Sequence, residues 1–304
     1  MTMQQAVNRY VDHGSSLYIS GFTHLIGFAA AREIIRQGAR DLRLIRMTPD
    51  VVYDLLVSSG CASEVTFGYL GNPGLGSLQA IRRAIEQGEL EHVEYTHGSL
   101  IAALRAGGAD LPFAPVPALE GTDLGRVNPR VRSVVSPFGG EHVPLVPPLR
   151  PDVAFVHVHR SDPSGNAQAW GGLGDLKEAG FAARQVVVTA EEIVTEEVVR
   201  SDPGLTVLPS FVVDAVVHAP FGAHPSFAQG LYGRDNRAYR QWAEVSRSAE
   251  GVRAHLYSQV YALADHDAYV ELHRHRLDEL AQVGEGHSAP INYGDNRQTA
   301  AVQE

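Results

Sequence analysis

Short apolar runs alternate with helical patterns through the first third of the chain. Residues 17–20 (LYIS) form a compact apolar run closed by Gly21, as a buried strand would. In FAAAREIIRQ, residues 28–37, apolar positions recur three and four apart and Gly38 follows. That spacing predicts a helix with a glycine C-cap. The next runs predict a strand at 42–47, a short helix at 51–58, a strand at 64–68, and a helix at 78–87 stopped by Gly88. Strand, helix, strand, helix is the order of a parallel sheet with crossover helices. Strand patterns return at 153–159 (VAFVHVH), 185–189 (QVVVT) and 212–218 (VVDAVVH), and residues 235–280 read as helical. Between these halves, residues 110–151 carry nine prolines yet stay apolar throughout. This favours long ordered connections across an α/β sheet over a domain linker. Periodicity ends near Gly284, so the expectation is one domain at 1–283 and a mobile tail at 284–304.

Composition narrows the function. With 304 residues and 44% hydrophobic positions the chain can bury a sizeable core. Lys and Arg number 25 against 35 Asp and Glu, a formal charge of −10. That argues against general nucleic-acid binding, which needs a basic face. No apolar run reaches the roughly 18 residues of a membrane span, so no membrane role is expected. The single cysteine, Cys61, excludes an intrachain disulfide framework and a cysteine-based zinc cluster, and fits a reducing compartment. The start, MTMQQAVNRY, has no basic region followed by an apolar stretch, so no signal peptide is expected and the cytoplasm is the expected location.

Three segments could carry chemistry, each at the end of a predicted strand, where open parallel sheets bind ligands. The first is Gly21-Phe22-Thr23-His24-Leu25-Ile26-Gly27-Phe28. It is either a tight strand-to-helix turn or a set of backbone donors for an anion or oxyanion. It is neither GxGxxG nor a P-loop. The second is the run from His157 to Ala167 (HVHRSDPSGNA), continuing to Trp170-Gly171-Gly172. Its two histidines share one strand face, but no carboxylate pattern supports a metal. The third is Pro220-Phe221-Gly222-Ala223-His224-Pro225-Ser226, whose histidine is either structural or a base or ligand donor. Glu191-Glu192 and Glu196-Glu197 read as a solvated helix start, and His273 and His275 as exposed on a charged helix. Ser59 and Ser99 are not in a GxSxG elbow, which argues against an α/β-hydrolase.

Several stretches together resemble one family. They are YISGFTHLIGFAAAREIIRQGARDL, RRAIEQGELEHVEYTHGSLIAALRAGGADLPFAPV, DVAFVHVHRSDPSGNAQAWGG, VVVTAEEIVTEEVVR and VDAVVHAPFGAHPSFAQGLYGRDN. Across residues 3–283 the chain resembles the α subunit of class I coenzyme A-transferases, above all the glutaconate type. The resemblance implies a doubly wound α/β subunit with a mainly parallel sheet flanked by helices. It also implies a similarly folded β partner, often in an α2β2 tetramer. The implied chemistry moves coenzyme A between an acyl-CoA thioester and a carboxylic acid through a covalent glutamate of the β chain; the acid is expected to be a short dicarboxylic or oxo acid on the strength of His24, His97 and His224. The coenzyme A thioester is then a substrate, with no permanently bound cofactor or metal.

This chain has no convincing counterpart of that glutamate. Glu120-Gly121-Thr122 is the nearest candidate and matches an α-chain loop, so the chain is expected to be catalytically incomplete alone. The implied acyl-site loop is Gly21, Phe22, Thr23 and His24. Ser161, Asp162, Gly165 and Asn166 would form the opposite wall, and Gly222, Ala223, His224 and Ser226 would complete it. Gly21 is expected to serve turnover more than stability, and His24, His97 and His224 to point donors at the far end of the acyl chain. His97 and Ser99 are further substrate-binding candidates. His97 stands where hydrolytic, ring-cleaving relatives carry an acidic residue, and Ser20-Gly21-Phe22 replaces the usual Gly-Gly-Phe opening. Hydrolysis, ring cleavage or decarboxylation of a CoA ester on the same scaffold is the alternative. A third reading is a non-catalytic binding or assembly role.

Overall fold

The computed structural model describes residues 1–72 and 74–281, so the tail expected at 284–304 and the last residues of the expected domain lie outside the described residues. The first half builds α1 (Met3–Tyr10), β1 (Ser16–Ile19), α2 (Phe28–Gln37), β2 (Leu42–Arg46), α3 (Asp50–Ser58), β3 (Ala62–Phe67), α4 (Gln79–Glu86), β4 (Glu91–Glu94) and α5 (His97–Gly108). β1, α2, β2, α3, β3 and α4 follow the sequence pattern closely, whereas α1, β4 and α5 lie outside the elements that pattern predicts. Gly38 caps α2 in the left-handed region at φ 70°, as glycine allows.

Residues 110–151 are more structured than the expected connections. They fold β5 (Ala114–Pro115), α6 (Asp123–Val127), β6 (Arg132–Val135) and β7 (His142–Val146), the three strands making a small antiparallel sheet. The prolines hide it: Pro115 and Pro144 lie within its strands, where proline ordinarily signals an edge or a loop.

The second half adds β8 (Val153–Ser161), β9 (Ala167–Gln168), α7 (Leu176–Ala182), β10 (Gln185–Ile193), α8 (Glu196–Ser201), β11 (Thr206–Leu208) and β12 (Ala215–His218). The strand expected at 212–218 starts later, because Ser210–Val212 turns as a short 3-10 helix. The chain then forms α9 (Asn236–Val245), α10 (Ala249–Leu256), α11 (His266–Leu272) and α12 (Arg274–Leu280).

The main sheet runs β12-β10-β8-β1-β2-β3-β4 with every neighbour parallel. β9 and β11 extend it with antiparallel pairings beyond the end of β1. Both faces are covered. Leu17, Ile19, Val153, Phe155 and Val187 point into a core shared with α1 to α4, α9 and α10. Tyr18, Ala154, Val156, Val186 and Val188 point into a second core with α5 and α7. Burial on both faces is why these strands read as unbroken apolar runs. From β1 the chain winds outward through β2, β3 and β4, and from β8 outward the other way. The crevice between the carboxyl ends of β1 and β8 is therefore a topological switch point, the usual ligand site of such sheets.

Candidate active site

The loop expected at the acyl site leaves β1 and enters α2 at that switch point. Gly21 at φ 108°, Thr23 at 59° and Leu25 at 51° all take the left-handed region. A Cβ on Gly21 would lie 2.6 Å from the carbonyl oxygens of His24 and Leu25, and 2.7 Å from Ile26 Cα. The loop's own backbone thus demands glycine, which corrects the expectation that Gly21 serves turnover more than stability. Gly21→Val is expected to lose more than about 2 kcal/mol, since it combines a strained φ with overlap against backbone. Thermal unfolding checks this; an unchanged melting temperature with lost turnover would return Gly21 to a purely ligand-facing role.

Distant residues pin the loop. Buried Arg46 of β2 donates to the Gly21 carbonyl and, at 3.0 Å, to that of Pro49. Leu25 N–H donates to Phe227 O at 3.0 Å, and Ser226 Oγ to Thr23 O at 2.9 Å. Phe22 N–H turns back to His24 O at 3.1 Å. Among the described residues neither the Thr23 nor the His24 N–H has an acceptor. Two uncommitted main-chain donors at the end of β1 are suited to hold a developing oxyanion.

Of the three histidines expected to line one pocket, His24 and His224 have both ring nitrogens engaged by the protein. His24 is buried, and its Nε2 accepts the Gln229 N–H at 3.0 Å. That leaves Nδ1 as the protonated nitrogen, 3.4 Å from Gly172 O. Burial lowers its pKa to about 4, so the ring is a neutral staple joining three strand-end loops. His224 is equally buried and spent, with Nδ1 at 2.8 Å from the Tyr269 hydroxyl and Nε2 at 3.2 Å from Asp235. His97, the first residue of α5, keeps a partly exposed ring. Its Nε2 is 3.1 Å from Thr48 Oγ1, and its edge meets the ring of half-buried Phe22 at 6.0 Å.

The other expected wall residues mostly shape loops. Ser99 is consumed by its own helix: its Oγ accepts the Thr96 N–H at 2.9 Å in a capping box, which removes it as a substrate contact. Asp162 is buried and accepts from Asn166 N–H at 2.9 Å and Asn166 Nδ2 at 2.7 Å, while Asn166 Oδ1 receives Ser210 N–H at 3.0 Å. Ser161 Oγ bonds the Asp162 carbonyl at 3.0 Å. Gly165 sits at φ 101°, and its missing Cβ leaves room for Val213. A Cβ on Gly222 would meet His157 Cε1 at 2.6 Å, and Ala223 N–H donates to the Tyr232 hydroxyl at 3.0 Å. Glu120 is exposed beside the small antiparallel sheet.

Glu191 overturns its reading as part of a solvated helix start. It lies on β10, buried, with Oε1 at 2.6 Å from His157 Nε2 and also bonded by the Tyr232 hydroxyl. Its Oε2 accepts the Phe221 N–H. Thr189 Oγ1 engages the other nitrogen of His157 at 2.8 Å. This carboxylate clamps the 220–226 loop to the strand ends. Glu196 and Glu197 do occupy the first turn of α8. His273 is half-buried rather than exposed, its Nε2 at 2.6 Å from Gln259 Oε1, whereas His275 is exposed. The Tyr18 hydroxyl donates to Asp175 at 2.8 Å, and burial raises the Asp175 pKa. Among the described residues no group of three or more His, Cys, Asp or Glu could hold a metal, and no helix is long and apolar enough to cross a membrane.

The comparisons with known proteins agree with this architecture. The family model described as "Coenzyme A transferase" matches residues 1–219. The chain is 47% identical over 253 residues to the A subunit of the 3-oxoadipate CoA-transferase of Pseudomonas knackmussii, covering 82% of this chain and 89% of the relative. It superposes on the crystal structure of glutaconate coenzyme A-transferase from Acidaminococcus fermentans with a TM-score of 0.90 at 31% identity, covering 96% of this chain and 98% of the other. The decarboxylase AibA/AibB follows with a TM-score of 0.75 at 32% identity, covering 84% of this chain and 97% of the other. With this match of sequence and fold, and with its loops gathered at the switch point of the sheet, the chain belongs to the coenzyme A transferase family as an α-type chain.

Proposed function

We propose that this chain is the α subunit of a heteromeric enzyme, expected in the cytoplasm as α2β2, that transfers coenzyme A from an acyl-CoA to a short oxo or dicarboxylic acid. A 3-oxoadipate-like acid is the proposed acceptor, and the 47% identity to one chain of a 3-oxoadipate CoA-transferase is the observation that carries this choice. The reaction is a double displacement. A glutamate carboxylate of the partner β chain attacks the thioester, giving a mixed anhydride and the CoA thiolate. The thiolate then attacks the glutamyl carbonyl and releases the first acid. The second acid reverses both steps. Holding coenzyme A as a glutamyl thioester between the two half-reactions keeps the thioester energy from being lost to water.

In this reading the chain supplies the surroundings of the reacting carbonyl. The uncommitted N–H groups of Thr23 and His24 receive the oxyanion as charge develops. Phe22 forms an apolar wall, and His97, oriented by Thr48, offers a donor to the far carboxylate or oxo group. The buried side chains of His24, His157 and Glu191 hold the loops in register and touch no substrate.

The test is turnover of the complete α–β enzyme with 3-oxoadipate, glutaconate, acetoacetate and butyrate as acceptors. The expected order puts the oxo dicarboxylate first. His97→Ala should lower kcat/KM for the dicarboxylates by about 10- to 100-fold, the worth of one charge-assisted hydrogen bond, and leave butyrate nearly unchanged. Release of free coenzyme A or carbon dioxide in place of transfer would point instead to hydrolysis or decarboxylation.

A further inference from the structure

Arg32 lies outside the proposed chemistry and is left with an unbalanced charge. It is carried inward by α2 and is 5% exposed. Its NH1 donates to His224 O at 3.1 Å, its NH2 approaches His266 Nδ1 at 3.5 Å, and the guanidinium lies 3.6 Å from the centre of the Tyr269 ring. All three partners are neutral, His266 because burial holds its pKa near 3. Among the described residues no carboxylate lies within salt-bridge distance of Arg32, and Nε has no partner. Nearby Arg36 is itself paired with buried Glu33, which leaves that carboxylate committed elsewhere. Arg46, also deeply buried, at least faces the carboxyl of Asp175. An uncompensated buried cation costs several kcal/mol.

A cavity of about 60 Å³ adjoins Arg32. Phe28, Leu55, Trp242 and Val260 give it apolar walls, and exposed Gln241 marks its rim. We propose that this cavity is a second ligand site, for a small monocarboxylate held by the Arg32 guanidinium with its alkyl tail against Trp242. A water takes roughly 10–15 Å³ of such volume, so the space suits four or five non-hydrogen atoms, the size of acetate or propionate. A guanidinium pairs with a carboxylate through two parallel hydrogen bonds, and one polar anchor in an apolar pocket is the usual design of a small-molecule site. The same guanidinium holds the carbonyl of His224 in the 220–226 loop. Occupancy is thereby linked to a wall of the acyl site, whichever acid the enzyme uses there.

The chain has two tryptophans, so Trp170→Phe leaves Trp242 as the sole reporter in the full-length protein. Propionate should change its fluorescence saturably, with half-saturation at about 1–10 mM, the range open to so small a ligand. Propionamide, which is neutral and isosteric, should bind at least tenfold more weakly. Arg32→Met should abolish the response. Ala238→Phe fills the cavity while keeping the arginine in the chain, should also abolish it, and decides the matter if Arg32→Met fails to fold. A linear response, an equal response to propionamide, or a saturable response that survives Ala238→Phe would overturn the proposal. Chloride saturating the signal as well as propionate does would reduce the site to an adventitious ion only, which also overturns it.

Discussion

Glu191→Ala is expected to destabilise the chain by about 3–5 kcal/mol, the cost of breaking a buried pair and stranding its partners. The substitution leaves His157 Nε2, the Tyr232 hydroxyl and the Phe221 N–H without their shared acceptor. Each is buried or nearly so, and each unsatisfied group carries its own desolvation penalty. For a chain of this size the melting temperature should fall by roughly 10 °C. The 220–226 loop should lose its anchor at the same time, so any activity that survives should drop as well. Glu191→Gln keeps the shape and an acceptor oxygen and should recover part of the loss. Chemical denaturation of the three proteins measures it, and a change of less than 1 kcal/mol for the alanine variant would show that the clamp contributes little.

Mild acid is expected to weaken the fold by a few kcal/mol between pH 6.5 and 5. Burial depresses the pKa of His24 and His255 to about 4 and that of His266 to about 3. Their unfolded value is near 6.5. A histidine kept neutral in the fold contributes fully above pH 6.5. Its contribution falls as pH drops toward its folded pKa, because the unfolded chain takes up the proton first. At pH 5 this is worth up to about 2 kcal/mol per histidine. The buried carboxyl of Asp54, raised to about 6, works in the opposite direction and offsets roughly half to one such contribution. Asp175, also raised by burial, adds to that offset. The net sign is loss, large against a typical stability of about 5–15 kcal/mol. Urea midpoints at pH 7, 6 and 5 should fall steadily; a flat profile would mean these rings are hydrated in solution.

The parallel sheet is legible in the sequence because its strands are buried on both faces and write themselves as apolar runs. The small antiparallel sheet is not, since β6 is exposed along its whole length and β7 contains a proline. Glu191 misleads because two adjacent carboxylates after a short apolar run resemble a helix start. The signal that corrects this is Ile193, a β-branched residue continuing QVVVTAEEI as one strand. Arg46 is similarly visible as a charged residue within the apolar run LRLIRM, and Ser99 as the end of a T-x-x-S capping pattern. His24 and His224 cannot be resolved by pattern. Their partners Gln229, Gly172 and Tyr269 are 205, 148 and 45 residues away along the chain. Only folding reveals which histidine nitrogens are already spent. The three strand-end loops stand out because the ends of parallel strands are where such sheets place ligands.

The central claim is that this chain shapes the acyl site while its partner supplies the nucleophile. The most direct measurement incubates the α–β complex with acyl-CoA, traps the glutamyl-CoA thioester with hydroxylamine or borohydride, and maps the modified glutamate by mass spectrometry of both chains. The modification should fall on a single glutamate of the β chain, with every peptide of this chain unmodified and this chain alone inactive. A trapped adduct on Glu120, Glu191 or any other carboxylate of this chain, or full transfer activity without a partner, would contradict it.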